Sequence, residues 1–175
     1  MKELTITECR LGFDAAFENG KRFYDDALYI EKAGRLLSSA LLAIYVYDEL
    51  GKAALIARTA LRQDQNTVTW QEFHKEFRAH APKIEAIQKL LNLFQGGFFL
   101  DDSMFQKTVK DLANQVLKLR TNVAFVELAN NKFSKPSAKL NKDCKRLIGK
   151  VGMAMELMAR IQGKIHRMLD EAEVR

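Results

Sequence analysis

Residues 38–61, SSALLAIYVYDELGKAALIARTAL, constrain the fold more than any other part of the sequence. At about 100° per residue, this stretch makes a helix that is apolar nearly all the way round, with no charged residue before Asp48. Asp48, Glu49 and Lys52 then follow on one face. A helix that is hydrophobic on all sides normally lies in the middle of a bundle. Charges on it must be paired, hydrated or functional, so the rest of the chain is expected to supply their partners.

The composition indicates one helical domain spanning residues 1–175. Apolar residues make up 47% of the chain and charged residues 29%, while the 2 Pro and 9 Gly are few enough to favour helix. The longest apolar run is too short to cross a bilayer, and no charged-then-apolar leader opens the chain. We therefore expect a cytoplasmic protein with no membrane partner.

The net charge of +6 is compatible with a nucleic-acid or acidic-protein partner. The cationic residues concentrate late in the chain, and a run of this kind could follow phosphates. A solvated helix face is the alternative interpretation. The run consists of Lys132, Lys135, Lys139, Lys142, Lys145, Arg146 and Lys150.

Hydrophobic spacing predicts about five long helices. Thr5 and Glu8 have capping-box spacing at the start of the first helix, residues 5–32, and Gly34 is suited to ending it. The central helix follows. Thr69 and Glu72 form a second capping box, and Pro82 predicts a kink or break at residues 80–82. The stripe predicted to be buried on the first helix is Leu11, Ala15, Phe23, Ala27 and Ile30.

A fourth helix is predicted over residues 103–130, and its core stripe is Leu112, Val116, Leu119, Val123 and Val126. A last helix is predicted over residues 138–172, and its inner face is Leu140, Cys144, Leu147, Val151, Met155, Met158, Ile165 and Leu169. There is no strand-like alternation of useful length. The predicted fold class is therefore all-α, an antiparallel bundle. Helices of this length exceed what a small bundle needs, so we expect an exposed apolar strip and a homodimer.

His80 is the first candidate partner for the central charges. A lone histidine on an apolar helix face is usually structural. Lys83 three residues later supplies a second donor, however, and the Pro82 break can open a polar gap in the core. The structural and functional interpretations of His80 carry equal weight.

Arg120, Arg160 and His166 are further candidates. Arg120 lies beside the apolar stripe of the fourth helix and would suit Glu49 or Asp48, although a surface arginine is the commoner case. Arg160 and His166 have a spacing found in helical ribonucleases, in which histidine moves protons and arginine stabilises phosphate charge. The helical wheel places Arg160 opposite the inner face of the last helix, which weakens that interpretation.

Signatures of other enzyme classes are missing from the sequence. There is no Glu-x-x-His pair, no His-Glu-x-x-His, no glycine-rich phosphate loop and no nucleophile elbow. Cys9 and Cys144 lie far apart with no metal-ligand or redox spacing, so we expect reduced, structural thiols. No metal and no other cofactor is expected.

Several segments, in order, resemble the AbiV-type abortive-infection proteins of the HEPN superfamily. The central Asp48-Glu49-Leu50-Gly51-Lys52-Ala53 run resembles the family signature, and residues 78–83 match its His-x-x-Lys element. Residues 120–127, followed by Pro136, resemble its Arg, aromatic-Val-acidic and Pro element. The resemblance covers most of residues 10–140. Phe125 stands where tyrosine is common, and Glu127 where aspartate is common.

The resemblance implies a helical bundle that blocks phage propagation in bacteria by cutting or binding RNA. HEPN proteins are often metal-independent ribonucleases that act as dimers, although this chain departs from their usual motif. The predicted site joins Glu49 and Lys52 to His80, Lys83 and Arg120, with His80 as general acid or base. The alternative is a non-catalytic protein that binds a phage or host protein, in which the same residues form a structural polar network.

Overall fold

A computed structural model describes residues 3–62, 69–79, 82–83, 85–87, 89–90, 116, 119, 128–129, 132–133 and 138–174. Within this part, four helices and one short strand pair have defined bounds. They are α1 (Ile6–Lys32), α2 (Leu36–Arg62), α3 (Trp70–Arg78), β1 (Leu128–Ala129), β2 (Lys132–Phe133) and α4 (Ala138–Glu173). The described residues of 82–90, together with 116 and 119, are also helical. The predicted all-α fold class is confirmed.

The helix ends follow the local signals in the sequence. Thr5 and Glu8 form a reciprocal capping box at the start of α1, and Thr69 and Glu72 form another at the start of α3. Both satisfy backbone amides that have no partner within the helix. Gly34 has φ 76°, the left-handed conformation that glycine adopts without strain after a helix. Both capping boxes and this helix end are confirmed.

Helix α2 is the centre of the structure. It packs against α1, α3 and α4. Ala43, Val46, Leu50 and Leu55 are fully buried although they point in different directions around the helix, which explains why α2 is apolar on nearly all sides. Helices α1 and α2 form an antiparallel hairpin, because Gly12 lies beside Ile56 and Gly20 beside Glu49.

The predicted stripe of α1 is wrong at its first two positions, whereas Phe23 packs against the core and Ile30 is partly buried. Leu11 is 67% exposed and Ala15 is also exposed, although Ala27 is buried as predicted. Phe13 and Phe17 turn inward instead, with ring centroids 6.2 Å apart. The two aromatic rings bury more apolar area than Leu11 and Ala15 would, and that difference selects the observed rotation of the helix. The buried residues of α1 are Cys9, Phe13, Ala16, Phe17, Gly20 and Ala27.

The predicted break near Pro82 is confirmed. Helix α3 ends at Arg78, Ala79 is extended (φ −81°, ψ 143°), and Pro82 and Lys83 are helical again. Ile87, Leu90, Val116 and Leu119 join the core. The chain therefore contributes helical core residues on the far side of the break.

The predicted end of the fourth helix at residue 130 is wrong. Leu128 and Ala129 are extended and pair antiparallel with Phe133 and Lys132. The sequence between them is Asn130-Asn131, and asparagine favours turns over helix interiors. Apart from Val116 and Leu119, which are helical and buried as predicted, the rest of the range lies outside the described residues.

Helix α4 runs almost exactly as long as predicted, and its inner face is the predicted one. Leu140 is partly buried, and the other seven predicted residues are buried: Cys144, Leu147, Val151, Met155, Met158, Ile165 and Leu169. No described helix combines the length and hydrophobicity that a bilayer crossing requires.

Both cysteines are expected to be unreactive in the folded protein. Burial and the negative charge of Glu8 raise the pKa of the Cys9 thiol to about 11. Burial and the negative charge of Asp143 raise the pKa of the Cys144 thiol to about 11 as well. At pH 8 roughly one thiol in a thousand would then be thiolate, the form that reacts. A thiol titration should therefore detect two groups rapidly in denaturant and react far more slowly with the native protein. Rapid reaction of either native thiol at pH 8 would contradict the burial.

Candidate functional site

The charged face of α2 carries two ion pairs within five residues. The Nζ of Lys52 lies 2.5 Å from Oε1 of Glu49 and 3.5 Å from Oδ2 of Asp48. Helical spacing produces this arrangement, because positions three and four residues apart are neighbours on a helix surface. All three side chains are partly buried, and that of Lys52 is 24% exposed. The central charges therefore lie at the edge of the core.

Lys83 brings a third segment to these charges. Its Nζ lies 2.6 Å from Oδ1 of Asp48, and its side chain is only 5% exposed. Lysine is almost never buried to this extent unless it is paired. Asp48, Glu49, Lys52 and Lys83 are called the polar cluster below.

Gly51 allows the segment around Lys83 to approach α2. A Cβ atom at position 51 would lie 2.6 Å from Cβ of Lys83 and 3.1 Å from its carbonyl carbon and oxygen. Such distances are too short for any side chain without a shift of the backbone. The run from Asp48 to Lys52 thus contains two carboxylates, a lysine and the glycine that together receive Lys83.

The polar cluster contains as many carboxylates as ammonium groups. Burial lowers the pKa of Lys52, but the hydrogen bond and charge of Glu49 and the charge of Asp48 outweigh this, so the pKa is raised. Lys52 therefore remains an ammonium group at neutral pH and cannot accept a proton. Its available roles are to hold the carboxylates or to contact an anion.

The polar cluster borders a cleft of about 580 Å³ between α1, α2 and α3. Glu49 and Lys52 line one part of it, and Ile56, Phe73 and Phe77 supply apolar surface. The Nζ of Lys52 lies 5.8 Å from the centre of the Phe77 ring, within cation–π range. The cleft leaves Lys52 open on one side, whereas Lys83 is enclosed.

The structure brings together Glu49, Lys52 and Lys83 of the predicted site. His80 and Arg120, the two other members, lie outside the described residues. Sequence reasoning left Asp48 out of the site, although it is the residue that joins Lys52 to Lys83. The signal for it was its position four residues before Lys52 on the same helix face.

Arg160 and His166 lie elsewhere, on α4. Arg160 is 75% exposed, and its nearest carboxylate is Glu156 at 3.9 Å. The Nε2 of His166 lies 2.7 Å from Oδ1 of Asp14 on α1, and its ring packs edge-on against Phe13. Two other contacts, Thr7 to Glu173 and Arg10 to Asp170, continue this antiparallel seam between α1 and α4.

His166 takes part in the packing of α1 against α4, whereas the side chain of Arg160 is exposed to solvent. Their partners, Glu156 and Asp14, do not belong to the polar cluster. Their assignment as a ribonuclease pair stays a prediction that the polar cluster does not support. Across the described ranges, no group of three His, Cys, Asp or Glu side chains is arranged to hold a metal ion.

Comparison with known protein families identifies a family for most of the chain. The family model described as AbiV, within the HEPN group, matches residues 8–153. This range contains all but the first two residues of α1, the whole of α2 and α3, and the polar cluster, and it ends within α4. Searches of curated proteins and of solved structures found no match.

Proposed function

Because the chain belongs to the AbiV family of HEPN proteins, we propose that it acts in bacterial phage defence by abortive infection, as a metal-independent ribonuclease. The proposed site includes the polar cluster and the neighbouring sequence elements that contain His80 and Arg120. Support for this site comes from charged residues brought together from separate parts of the chain.

The single observation that carries the proposal is the ion pair between Asp48 and the buried Lys83. It fixes the end of the His-x-x-Lys sequence to the Asp-Glu-x-Gly-Lys segment of α2, with 34 positions between Asp48 and Lys83. Lys83 is buried and Asp48 is partly buried. Glu49 and Lys52 of the same polar cluster line an open cleft. Arrangements of this kind are concentrated at functional sites, because burying charge is costly and needs compensation.

The proposed roles follow from which charges are already neutralised. Lys83 and Lys52 each have a carboxylate within 2.6 Å, so they act mainly by positioning. His80 would transfer the proton when a ribose 2′-hydroxyl attacks the adjacent phosphorus atom and the 5′-oxygen leaves. Arg120 would stabilise the charge on the phosphorane, a role suited to its permanently charged guanidinium.

Replacing His80 by alanine tests the proposal. In a chelator-containing buffer, wild type should cut RNA, and His80→Ala should cut it about 10²–10⁴-fold more slowly, the usual contribution of general acid–base catalysis. Lys21→Ala serves as the control because its side chain is exposed on α1 and belongs to neither the polar cluster nor α4, so it should retain wild-type activity. Melting temperatures of all three proteins show whether folding is intact.

Two results would contradict the ribonuclease. One is wild type that cuts no RNA, with or without lysate from phage-infected cells. The other is a folded His80→Ala protein that cuts at the wild-type rate. If a folded Arg160→Ala protein cut no RNA while His80→Ala remained active, the catalytic site would lie on α4.

The second candidate function is a non-catalytic protein that binds a phage or host protein. The balanced charges of the polar cluster favour it, because every ammonium group there already has a carboxylate partner. In that case His80→Ala would mainly lower the melting temperature, and no RNA would be cut. The homodimer stays a prediction for either function, to be tested by the mass of the protein in solution.

A further inference from the structure

The outward face of α4 is strongly cationic. Taking 100° per residue, eight cationic side chains fall within an arc of about 140° on this helix. All of them are exposed except Lys150, which is partly exposed. They are Lys139, Lys142, Lys145, Arg146, Lys150, Arg160, Lys164 and Arg167, and they are called the basic face below.

The charges of the basic face are almost entirely uncompensated. Within the arc, the acidic residues are Glu156 and Glu171. Among the described residues, Arg160 alone of the eight makes an ion pair, at 3.9 Å. The excess of positive charge on this face equals the net charge of the whole chain, +6, so the remainder of the chain is electrically neutral.

This distribution differs from that of the polar cluster, where lysines are paired within 2.6 Å. Like charges crowded on one helix face repel one another and oppose helix formation. A solvated helix face can carry charges of both signs. An excess of positive charge of this size on one helix is what an anionic partner would compensate.

The dimensions of the basic face suit an extended polyanion. From Lys139 to Arg167 the helix rises about 42 Å, at 1.5 Å per residue. At its start, Lys145 lines a surface depression with Arg35 from the turn before α2, which widens the cationic surface. Helix α4 contains no Phe, Tyr or Trp, so it has no aromatic ring on which a base could stack.

We propose that the basic face binds the phosphate backbone of RNA, without preference for its sequence. The inference rests on the proposed function in taking RNA as the partner, and it adds the surface that holds the RNA. A membrane surface fits less well, because helices that lie on membranes present large apolar side chains beside their cations. Met153 is the exposed large hydrophobic residue that α4 offers.

Binding can be measured apart from cleavage with a labelled RNA that is 2′-O-methylated and therefore cannot be cut. A length of about 20 nucleotides is sufficient to cross the basic face. Fluorescence anisotropy would be recorded for the full chain at several salt concentrations. The test variant is Lys142→Gln with Lys164→Gln. The control is Lys21→Gln with Lys75→Gln, which removes two exposed lysines from α1 and α3. Its net charge equals that of the test variant.

The test variant should bind RNA about tenfold more weakly than wild type. The plot of log K against log salt should also become less steep by about 1.4, which is about 0.7 for each lost phosphate contact. The control should retain the wild-type slope. Three results would overturn the inference. Both variants could bind RNA equally weakly, wild type could show no salt-dependent binding of RNA, or wild type could bind anionic vesicles but not RNA. If cleavable RNA is bound through this face yet never cut, the ribonuclease fails while the binding surface stands.

Discussion

Asp48→Asn is expected to destabilise the protein by about 3 kcal/mol, the largest effect of any single substitution in the polar cluster. The change keeps the shape of the side chain but removes its charge. Lys83, whose side chain is only 5% exposed, would lose the carboxylate that lies 2.6 Å from its Nζ. An ammonium group left buried without a carboxylate must be hydrated by opening the core, or deprotonated. In a domain of this size the melting temperature should fall by about 6–12 °C.

Two comparisons isolate the cause of this effect. Lys83→Met should cost less than Asp48→Asn, because Asp48 is 21% exposed and keeps Lys52 at 3.5 Å. Glu156→Gln should change stability by less than about 0.5 kcal/mol, since its ion pair is exposed and loose. Thermal or urea unfolding would measure all three. A loss for Asp48→Asn no larger than that for Glu156→Gln would show that Asp48 does not compensate a buried charge.

Gly51→Ala is expected to destabilise the protein by about 2–3 kcal/mol, although alanine is ordinarily the better helix former. The added Cβ would lie 2.6 Å from Cβ of Lys83 and 3.1 Å from the carbonyl atoms of the same residue. Two of those contacts are with backbone, so rotating a side chain cannot relieve them. The segment after the break would have to move away from α2, which would also lengthen the Asp48–Lys83 pair.

Gly149→Ala provides the matched control for this prediction. Gly149 also lies within a helix, but nothing lies within 4 Å of the Cβ it would gain. The alanine should therefore stabilise the protein by about 0.5–1 kcal/mol. Opposite signs for the two substitutions in unfolding experiments would support the close approach at Gly51. Stabilisation by Gly51→Ala would mean that the segment around Lys83 lies farther from α2.

Features set by neighbouring residues could be predicted from the sequence. The two capping boxes, the turn at Gly34, the break before Pro82 and the inner face of α4 all depend on groups within a few positions of one another. The rotation of α1 could not be predicted in the same way. Its apolar residues allow two faces, and the choice depends on how well Phe13 and Phe17 pack against the other helices.

The site was predictable only where its residues are close neighbours along the helix. Helical spacing placed Asp48, Glu49 and Lys52 together, but it could not decide which carboxylate would receive a lysine from a distant segment. The structure assigns Lys83 to Asp48 and leaves Glu49 to Lys52. The short strand pair at Leu128 and Phe133 was missed because pairing between strands depends on contacts outside the helical pattern.

The central claim is that the charges of α2 hold the segment after the break through a direct interaction between Asp48 and Lys83. A double-mutant cycle with Asp48→Asn, Lys83→Met and the combined variant measures that interaction through the free energies of unfolding. We expect the double variant to be more stable than the sum of the two single losses predicts, with a coupling of about 1–3 kcal/mol. Additive losses, with a coupling within about 0.5 kcal/mol of zero, would contradict the account.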